Sequence, residues 1–435
     1  MNCNYEELDP AGITIGIAAF FLALFYAYYL LQKFKLNFKS IGLILLLSAL
    51  GHFVGAYALF EFAVRNGADS CFYFANATMK NQGVGYWFAF MVLGYAREYL
   101  LGDSFLGAFL ISGAIGLVAS TYLVVIYKIL LDKISGFKPF YKIDPQQLIY
   151  PAFLLMCWPS YLFWSAGIIK DNFAFLAITM TLFVIVRGSL GFSNLITLAV
   201  ASVLGFVVRP YLFIIFGVSG FLYLLAGSKI KIQYKLGILG TLCMLFSMLT
   251  PLLSSYAEMV HFNGITTIKN IGEYAVRQQG YMAIGSSIPV PTSNPYLMFL
   301  FIPYLVFANL LLPLGIGARN FIGIVSSIEN VYLLWWILYF IKHRAYWRDL
   351  SSRIRITKFL MIYFLFGMMC LSIMCTNLGL AMREKIMYAP ALLICMFLCY
   401  AYRRMVLLEH HFTTQEIEQS PQPLEPLSGA LTSKQ

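Results

Sequence analysis

Ionisable residues at the ends of apolar segments are the residues in this sequence whose types and spacing could do chemistry. They are a carboxylate after the second apolar segment and a series of cations between later segments: Asp69, Lys170, Arg209, Arg319, Arg383 and Lys385. A guanidinium binds phosphate oxygens through two parallel hydrogen bonds, and a carboxylate can take a proton from a hydroxyl or bind a divalent cation. These residue types predict a site for an anionic, phosphate-bearing substrate.

Further polar residues accompany this set in the same turns: Tyr73, Asp171, Asn377 and Glu384. A simpler interpretation is available for each residue alone. Asp69 would be a solvated loop carboxylate beside Arg65, and Lys170 would snorkel from a belt formed by Trp158 and Trp164. Single arginines at segment ends are usually anchors, but four such turns on one side are harder to explain in that way.

Composition sets the class of protein that must position these residues. The chain has 435 residues, of which 60% are hydrophobic and 11% are charged, with a mean hydropathy of +0.77. Soluble domains are about one quarter charged. Apolar runs of about 20 residues are long enough to cross the hydrocarbon core of a bilayer. The sequence therefore predicts an all-α, polytopic transmembrane helical bundle, and its net charge of +11 reports membrane topology rather than affinity for nucleic acid.

The apolar runs give the candidate spans. They cover residues 12–32, 41–63, 84–101, 105–127, 147–168, 172–188, 192–208, 211–227, 236–255, 296–316, 321–341, 359–377 and 386–402. Basic residues concentrate in cytoplasmic loops, here the loops around 33–39, 128–142, 229–235 and 342–358 and the segment after the last run. Only an even number of crossings can join two cytoplasmic loops. Runs 84–101 and 296–316 are therefore predicted to be outer interfacial or re-entrant helices, which leaves about 11 spans.

This topology places the N-terminus outside and the C-terminus in the cytoplasm. Ten of the 30 Lys and Arg residues then fall on the outer side, which is normally depleted in them: Arg65, Lys80, Arg97, Lys170, Arg209, Lys269, Arg277, Arg319, Arg383 and Lys385. The transmembrane domain is predicted to cover residues 1–411, with outer loops at 64–104 and 254–295. A Gln-, Ser-, Pro- and Glu-rich cytoplasmic tail at 412–435 is predicted to be disordered.

Two pairs of residues remain open from the sequence. Cys3 and Cys71 both fall on the predicted outer side and can pair, although two cysteines do not establish a disulfide. His52 and Glu329 are ionisable residues within spans, which makes them functional candidates by default. They could pair with each other, or each could serve helix packing.

Several strings in this sequence resemble membrane glycosyltransferases of the GT-C superfamily and the related exopolysaccharide or O-antigen polymerases. They are the acidic loop with Asp69 and Tyr73, Pro159 to Asp171 with Phe163-Trp164-Ser165, Arg209-Pro210-Tyr211, and Asn377-Leu378-Gly379 with Arg383, in order over about residues 45–400. The resemblance implies a GT-C-like fold and a sugar donor linked to polyprenyl phosphate or diphosphate. It makes Asp69 the catalytic candidate and Lys170, Arg209, Arg319 and Arg383 the binders of the lipid phosphate.

The predicted function is therefore glycosyl transfer or polysaccharide polymerisation at the outer face of a membrane. The acceptor of the sugar would be a glycan, a lipid or a protein. The resemblance implies a bacterial inner membrane. A divalent cation is one alternative at Asp69, although the family's second acidic residue is missing beside it. Two other classes stay open: a transporter or flippase of a lipid-linked or anionic glycan, and a scaffold in a polysaccharide-export assembly. Mid-span charge limited to His52 and Glu329 favours chemistry at the surface.

Overall fold

The computed structural model of the protein describes residues 9–36, 39–66, 69–75, 92–137, 145–168, 170–189, 191–209, 211–227, 299–315, 321–375 and 377–418, together with positions 233–234, 237, 288, 294 and 297. Regular structure in these ranges is helical. The α-helices are α1 Pro10–Lys33, α2 Lys39–Asn66, α3 Asp69–Ala75, α4 Phe105–Ser135, α5 Pro145–Met156, α6 Pro159–Trp164, α7 Lys170–Arg187, α8 Phe192–Val208, α9 Tyr211–Gly227, α10 Ile302–Leu311, α11 Phe321–Lys342, α12 Arg344–Arg353, α13 Ile356–Met374, α14 Leu378–Glu384 and α15 Ala389–Glu418.

Six helices among the described residues are long and apolar enough to cross a membrane. They are Pro10–Lys33, Lys39–Arg65, Phe105–Ser135, Gly323–Lys342, Ile356–Ile373 and Ala389–Glu409. Three shorter apolar helices coincide with other predicted runs: Phe192–Val208, Ile214–Leu225 and Ile302–Leu311. The chain is thus an all-helical membrane protein. The run at 236–255 lies, apart from Gly237, outside the described residues.

The predicted span at 147–168 consists of two helices, with the break beside Pro159. Helix α5 ends at Met156, Trp158 has an extended backbone, and α6 begins at Pro159. Proline lacks a backbone N–H and disfavours the helical conformation in the residue before it, so α5 cannot continue through this position. In the run at 296–316, α10 likewise ends at Leu311, shortly before Pro313. The predicted run 84–101 ends in a π-helix, Arg97–Leu101. Tyr99 in this helix and Tyr95 before it are both exposed.

Helix α4 lies at the centre of the bundle and is the most buried of the long helices. Helices α1, α2, α5, α7 and α15 pack around it. The contact with α1 is close because a Cβ atom on Gly107 would overlap the carbonyl group of Gly12. Glycine at these two positions lets the backbones of α1 and α4 approach each other directly.

The two ends of the bundle differ in charge. At one end, Lys133 of α4 donates to the carbonyl oxygen of Val186 at 2.6 Å, and Arg403 of α15 donates to the Tyr339 hydroxyl of α11 at 3.0 Å. We call this the basic end. Its basic residues lie at or just after the ends of α1, α4, α7 and α11, in α12, around the start of α13 and in α15: Lys33, Lys35, Lys128, Lys133, Arg187, Lys342, Arg344, Arg348, Arg353, Arg355, Lys358, Arg403 and Arg404. The opposite end holds the start of α7, the end of α8 and α14, and we call it the cluster end.

The last helix continues beyond the predicted domain boundary. Helix α15 ends at Glu418, so residues 412–418 are helical and the predicted tail can begin only after them. This stretch holds Thr413, Thr414 and Gln415, which are polar but compatible with a helix that extends from a well-packed transmembrane segment. Residues 419–435 lie outside the described residues.

Candidate functional site

Arg209 is the centre of a buried ionic network at the cluster end. It follows α8 directly, where the backbone leaves the helix. Its Nη2 atom contacts Asp171 in the first turn of α7, and its Nη1 atom donates to Glu384 Oε1 at 2.8 Å and to the Tyr211 hydroxyl. The Nε–H of Arg209 is buried and has no acceptor among the described residues. Asp171 and Glu384 thus neutralise this arginine while one donor remains unsatisfied.

Arg383 joins the same network through Asp171. Its Nε atom lies 2.7 Å from Asp171 Oδ2, while Arg209 contacts the other carboxylate oxygen. Asn377 caps α14 and accepts a hydrogen bond from the Gly379 N–H at 2.8 Å. This cap fixes the start of the short helix whose last residues are Arg383 and Glu384. Asp171 is therefore shared between two guanidinium groups that come from distant parts of the chain.

Lys385 forms a second, deeper part of the site. Its Nζ atom lies 3.3 Å from Glu329 Oε1 and donates to Asn330 Oδ1 at 2.6 Å. Glu329 also accepts hydrogen bonds from the backbone N–H and the hydroxyl of Ser160, at 2.8 and 2.6 Å. Asn330 donates to the Pro313 carbonyl oxygen at 3.2 Å. These contacts join α11, the start of α6 and the turn after α14.

Burial makes these charges costly unless they are paired. The Asp171 side chain is 1% exposed and that of Arg209 is 8% exposed, whereas Arg383 and Glu384 each retain 17%. Three cations face three carboxylates in the ion pairs described above, so the network is close to neutral before Lys170 is counted. Removing one partner from such a pair leaves an uncompensated charge in a medium of low dielectric constant. The carboxylates thus fix the positions of the cations and compensate their charge.

A small apolar cavity lies next to this network. It has a volume of about 60 Å³ and is lined by the segment at 92–101, by α4 and by the start of α7, where Lys170 and Asn172 provide its polar edge. Lys170 itself is 9% exposed. The cation and the apolar wall are the two features that an amphiphile with an anionic head requires.

The structure brings together many, but not all, of the residues that the sequence singled out. Asp171, Arg209, Arg383 and Glu384 meet directly, and Lys385 lies beside them. The backbone of Asp69 starts α3 and that of Tyr73 lies in the same helix, but their side chains are outside the description. Arg319 also lies outside the described residues.

The structure decides between the alternatives left open for the two buried ionisable residues. Glu329 does not pair with His52, because it is bound to Lys385 and Ser160. His52 instead hydrogen-bonds through Nδ1 to the Ser48 carbonyl oxygen at 2.9 Å, four residues earlier in α2. Its Nε2 lies 3.5 Å from the Ser120 hydroxyl of α4. His52 therefore serves contacts within the bundle, and only Glu329 belongs to the network.

Metal ligands and thiols are the other groups in this part of the molecule that could take part in chemistry. Among the described residues, no three metal-ligating side chains come together. Cys375 lies at the end of α13 near the network, and burial, followed by the charge of Glu384, raises the pKa of its thiol to about 12. A thiol with such a pKa stays protonated at neutral pH and is a weak nucleophile. Cys71 at the cluster end is disulfide-bonded, and Cys3, its predicted partner, lies outside the described residues.

Sequence reasoning missed Ser160 and Asn330 as members of the site. The signal for Asn330 was its position beside Glu329 in an otherwise apolar span, since adjacent buried polar residues require partners. The signal for Ser160 was the proline before it, which ends one helix and starts another with free backbone N–H groups. Tyr211 stood in a quoted motif without an assigned role, and it accepts a hydrogen bond from Arg209.

The fold and the network define the class of protein: a polytopic helical membrane protein with a buried ionic cluster at one end of its bundle. Comparison of the chain with protein-family models, curated proteins and solved structures finds no match. The buried ionic cluster is therefore the main indication of function.

Proposed function

We propose that the protein is a membrane-embedded glycosyltransferase or polysaccharide polymerase that uses a sugar donor linked to polyprenyl phosphate or diphosphate. The observation that carries this proposal is the convergence of Arg209 and Arg383 on Asp171, with Lys385 beside them. Anchoring residues would spread around the perimeter and point to lipid headgroups. Convergent cations at helix ends are instead suited to one anionic group.

The cations would stabilise the charge that develops on the leaving phosphate. Arginine suits this role because its planar group donates several hydrogen bonds in a fixed geometry. Preorganised charges in a site that excludes water lower a barrier by several kcal/mol, as measured when single such donors are removed from other enzymes. Arg209 and Arg383 are preorganised here by their shared carboxylate. Lys170 at the edge of the apolar cavity would face the head of the lipid.

Asp69 is the proposed catalytic carboxylate, which would accept the proton of the acceptor hydroxyl or hold a divalent cation. It begins α3, directly beyond α2. Arg97 donates to the Phe74 carbonyl oxygen of α3. The segment that contains Arg97 lines the cavity beside Lys170, which supports a position near the arginine cluster. Tyr73 follows Asp69 by one helical turn and would support the acceptor. The acceptor is a growing glycan, another lipid or a protein.

Charge orients the protein in this proposal. Because basic loops stay in the cytoplasm, the basic end faces inward and the cluster end faces outward in a bacterial inner membrane. The disulfide at Cys71 supports this orientation, since disulfides persist in oxidising compartments outside the cytoplasm. Chemistry at the outer face fits the synthesis of a cell-surface glycan, alone or within a polysaccharide-export assembly.

A transporter or flippase of a lipid-linked or anionic glycan is the second candidate. One observation favours it: Glu329 and Lys385 form their pair within the bundle, with side chains 1% and 2% exposed. A translocation path requires charged groups inside the membrane domain. However, Ser160 already donates a hydrogen bond to Glu329, and Asn330 already accepts one from Lys385. Both charged groups therefore have partners within the protein.

Purified protein in lipid vesicles, supplied with a polyprenyl-diphosphate-linked sugar and an acceptor glycan, separates the two candidates. We expect a longer glycan product from the unaltered protein and none from Asp69→Asn or Arg383→Lys, both of which should remain folded. Movement of donor across the bilayer without any new glycosidic bond would establish the flippase and reject the enzyme. Full product from Asp69→Asn would remove that carboxylate from the reaction.

A further inference from the structure

Glu384 differs from the other carboxylates of the network in its exposure. Its side chain is 17% exposed, while those of Asp171 and Glu329 are each 1% exposed. Asp171 holds both arginines from the buried side. Glu384 pairs with Arg209 through one oxygen at 2.8 Å. The two carboxylates bound to Arg209 therefore have different positions: one is internal and shared, and the other lies nearer to solvent.

Arg209 is incompletely satisfied in this arrangement. Its Nε–H is buried without an acceptor among the described residues, although an unsatisfied buried donor costs about 1–3 kcal/mol. Its Nη1 atom meanwhile serves two acceptors, Glu384 and Tyr211. Because each Nη atom carries two N–H groups, these two bonds use all the donors of Nη1, and the unused Nε–H leaves capacity for an additional oxygen-rich anion.

We propose that Glu384 is an exchangeable counter-ion, which occupies Arg209 in the resting protein and is displaced by the phosphate of the ligand. Asp171 keeps Arg209 and Arg383 in place during this exchange. The ligand oxygens take the position of the Glu384 carboxylate at Nη1, and the Nε–H supplies a further donor. This inference rests on the proposed function, in that the ligand is the phosphate or diphosphate of a lipid-linked donor.

The exchange explains how a buried cationic site tolerates the absence of substrate. An empty pair of guanidinium groups at this depth would carry a large desolvation cost. A carboxylate of the chain removes that cost, but it competes with the ligand for the same arginine. Glu384 therefore acts as an autoinhibitory contact that lowers affinity and prevents the site from holding arbitrary weak anions.

Titration of the full-length protein in detergent with inorganic pyrophosphate, followed by its thermal stability, tests this proposal. We expect Glu384→Gln to bind pyrophosphate about tenfold more tightly than the unaltered protein, because the competing charge is gone and the amide can still accept a hydrogen bond. Asp349→Asn, which removes an exposed carboxylate from an ion pair at the basic end, should leave the affinity unchanged. Equal or weaker binding by Glu384→Gln overturns the proposal, as does absence of binding in both proteins.

A second variant keeps the test informative if Glu384→Gln does not fold. Glu384→Asp retains the charge but withdraws the carboxylate by one methylene, so it should bind pyrophosphate more tightly than the unaltered protein. An affinity at or below the unaltered value counts against exchange. The result is separable from the proposed enzyme activity. Tighter pyrophosphate binding without glycan synthesis would retain the exchange and remove the enzyme. Glycan synthesis with no effect of Glu384→Gln would do the reverse.

Discussion

Asp171 determines the geometry of the cluster because each of its two oxygens contacts a different arginine. Its side chain is almost fully buried, so water cannot replace either contact. Arg209 and Arg383 would repel each other without it. A carboxylate in this position has a structural duty whether or not the arginines bind a substrate.

We expect Asp171→Asn to lower the free energy of unfolding by about 3–5 kcal/mol, the range for removal of one partner from a buried ion pair. The amide preserves the shape but leaves two guanidinium groups without their shared countercharge. Thermal unfolding in detergent measures the effect. Glu61→Gln is the matched control, because Glu61 pairs with Arg65 four residues later at the surface of α2. A loss for Asp171→Asn no larger than for this control would contradict the prediction.

Arg209→Lys separates binding by an arginine from simple charge. A lysine ammonium keeps the charge, but it cannot span Asp171, Glu384 and Tyr211 as the guanidinium does. We expect pyrophosphate affinity to fall at least tenfold, with a lower melting temperature. Lys128→Arg at the basic end provides the opposite exchange in a helical pair with Asp132, four residues later in α4 and far from the cluster, and it should change neither quantity. Unchanged affinity for Arg209→Lys would return the arginine to the role of an anchor.

The positions of the arginines at one end of the bundle could be predicted, but their partners could not. Parity of the basic loops places Arg209 and Arg383 on one face from the sequence alone. The pairing of Lys385 with Glu329 connects residues on different helices, and no spacing rule along one helix contains it. It depends on where α11 sits relative to the break at Pro159, which is a property of the packed bundle.

At the scale of elements, interrupted helices build the site. Helix α6 begins at Pro159, α9 begins after Arg209, and α14 is a short helix between α13 and α15. Each interruption leaves a polar backbone and a helix end inside the bundle, where ionisable side chains can bind them. Apolar runs predict where helices lie but treat such interruptions as single spans or turns. The apolar run 147–168 continues through Pro159 in this way, and the proline itself is the signal of the break.

The close contact between α1 and α4 offers a test of the packing. We expect Gly107→Ala to destabilise the protein by about 1–3 kcal/mol, the typical cost of overpacking, because the added Cβ would overlap the Gly12 carbonyl group. The melting temperature in detergent measures this cost. Gly42→Ala in α2 adds the same methyl group where no atom lies within 4 Å, so it should have no effect or a slight stabilising one. Equal behaviour of the two variants would rule out the close contact between α1 and α4.

At the scale of the whole molecule, the separation of charge predicts orientation. Tyr99 is exposed at the cluster end, and Arg353 is exposed at the basic end. In intact cells, a membrane-impermeant thiol reagent should label Tyr99→Cys and should label Arg353→Cys only after the cells are opened. Labelling of Arg353→Cys in intact cells would invert the topology and place the arginine cluster in the cytoplasm.

The cluster also imposes an order on the synthesis of the protein. Asp171 and Arg209 are 38 residues apart and can meet soon after α8 leaves the ribosome, whereas Glu384 follows Arg209 by 175 residues. At about 5–20 residues per second, the second carboxylate and Arg383 arrive about 9–35 s later. During that interval the nascent chain holds an ion pair that balances itself without either of them. The Asp171–Arg209 pair therefore compensates both buried charges in the first half of the protein until the C-terminal helices are inserted and complete the site.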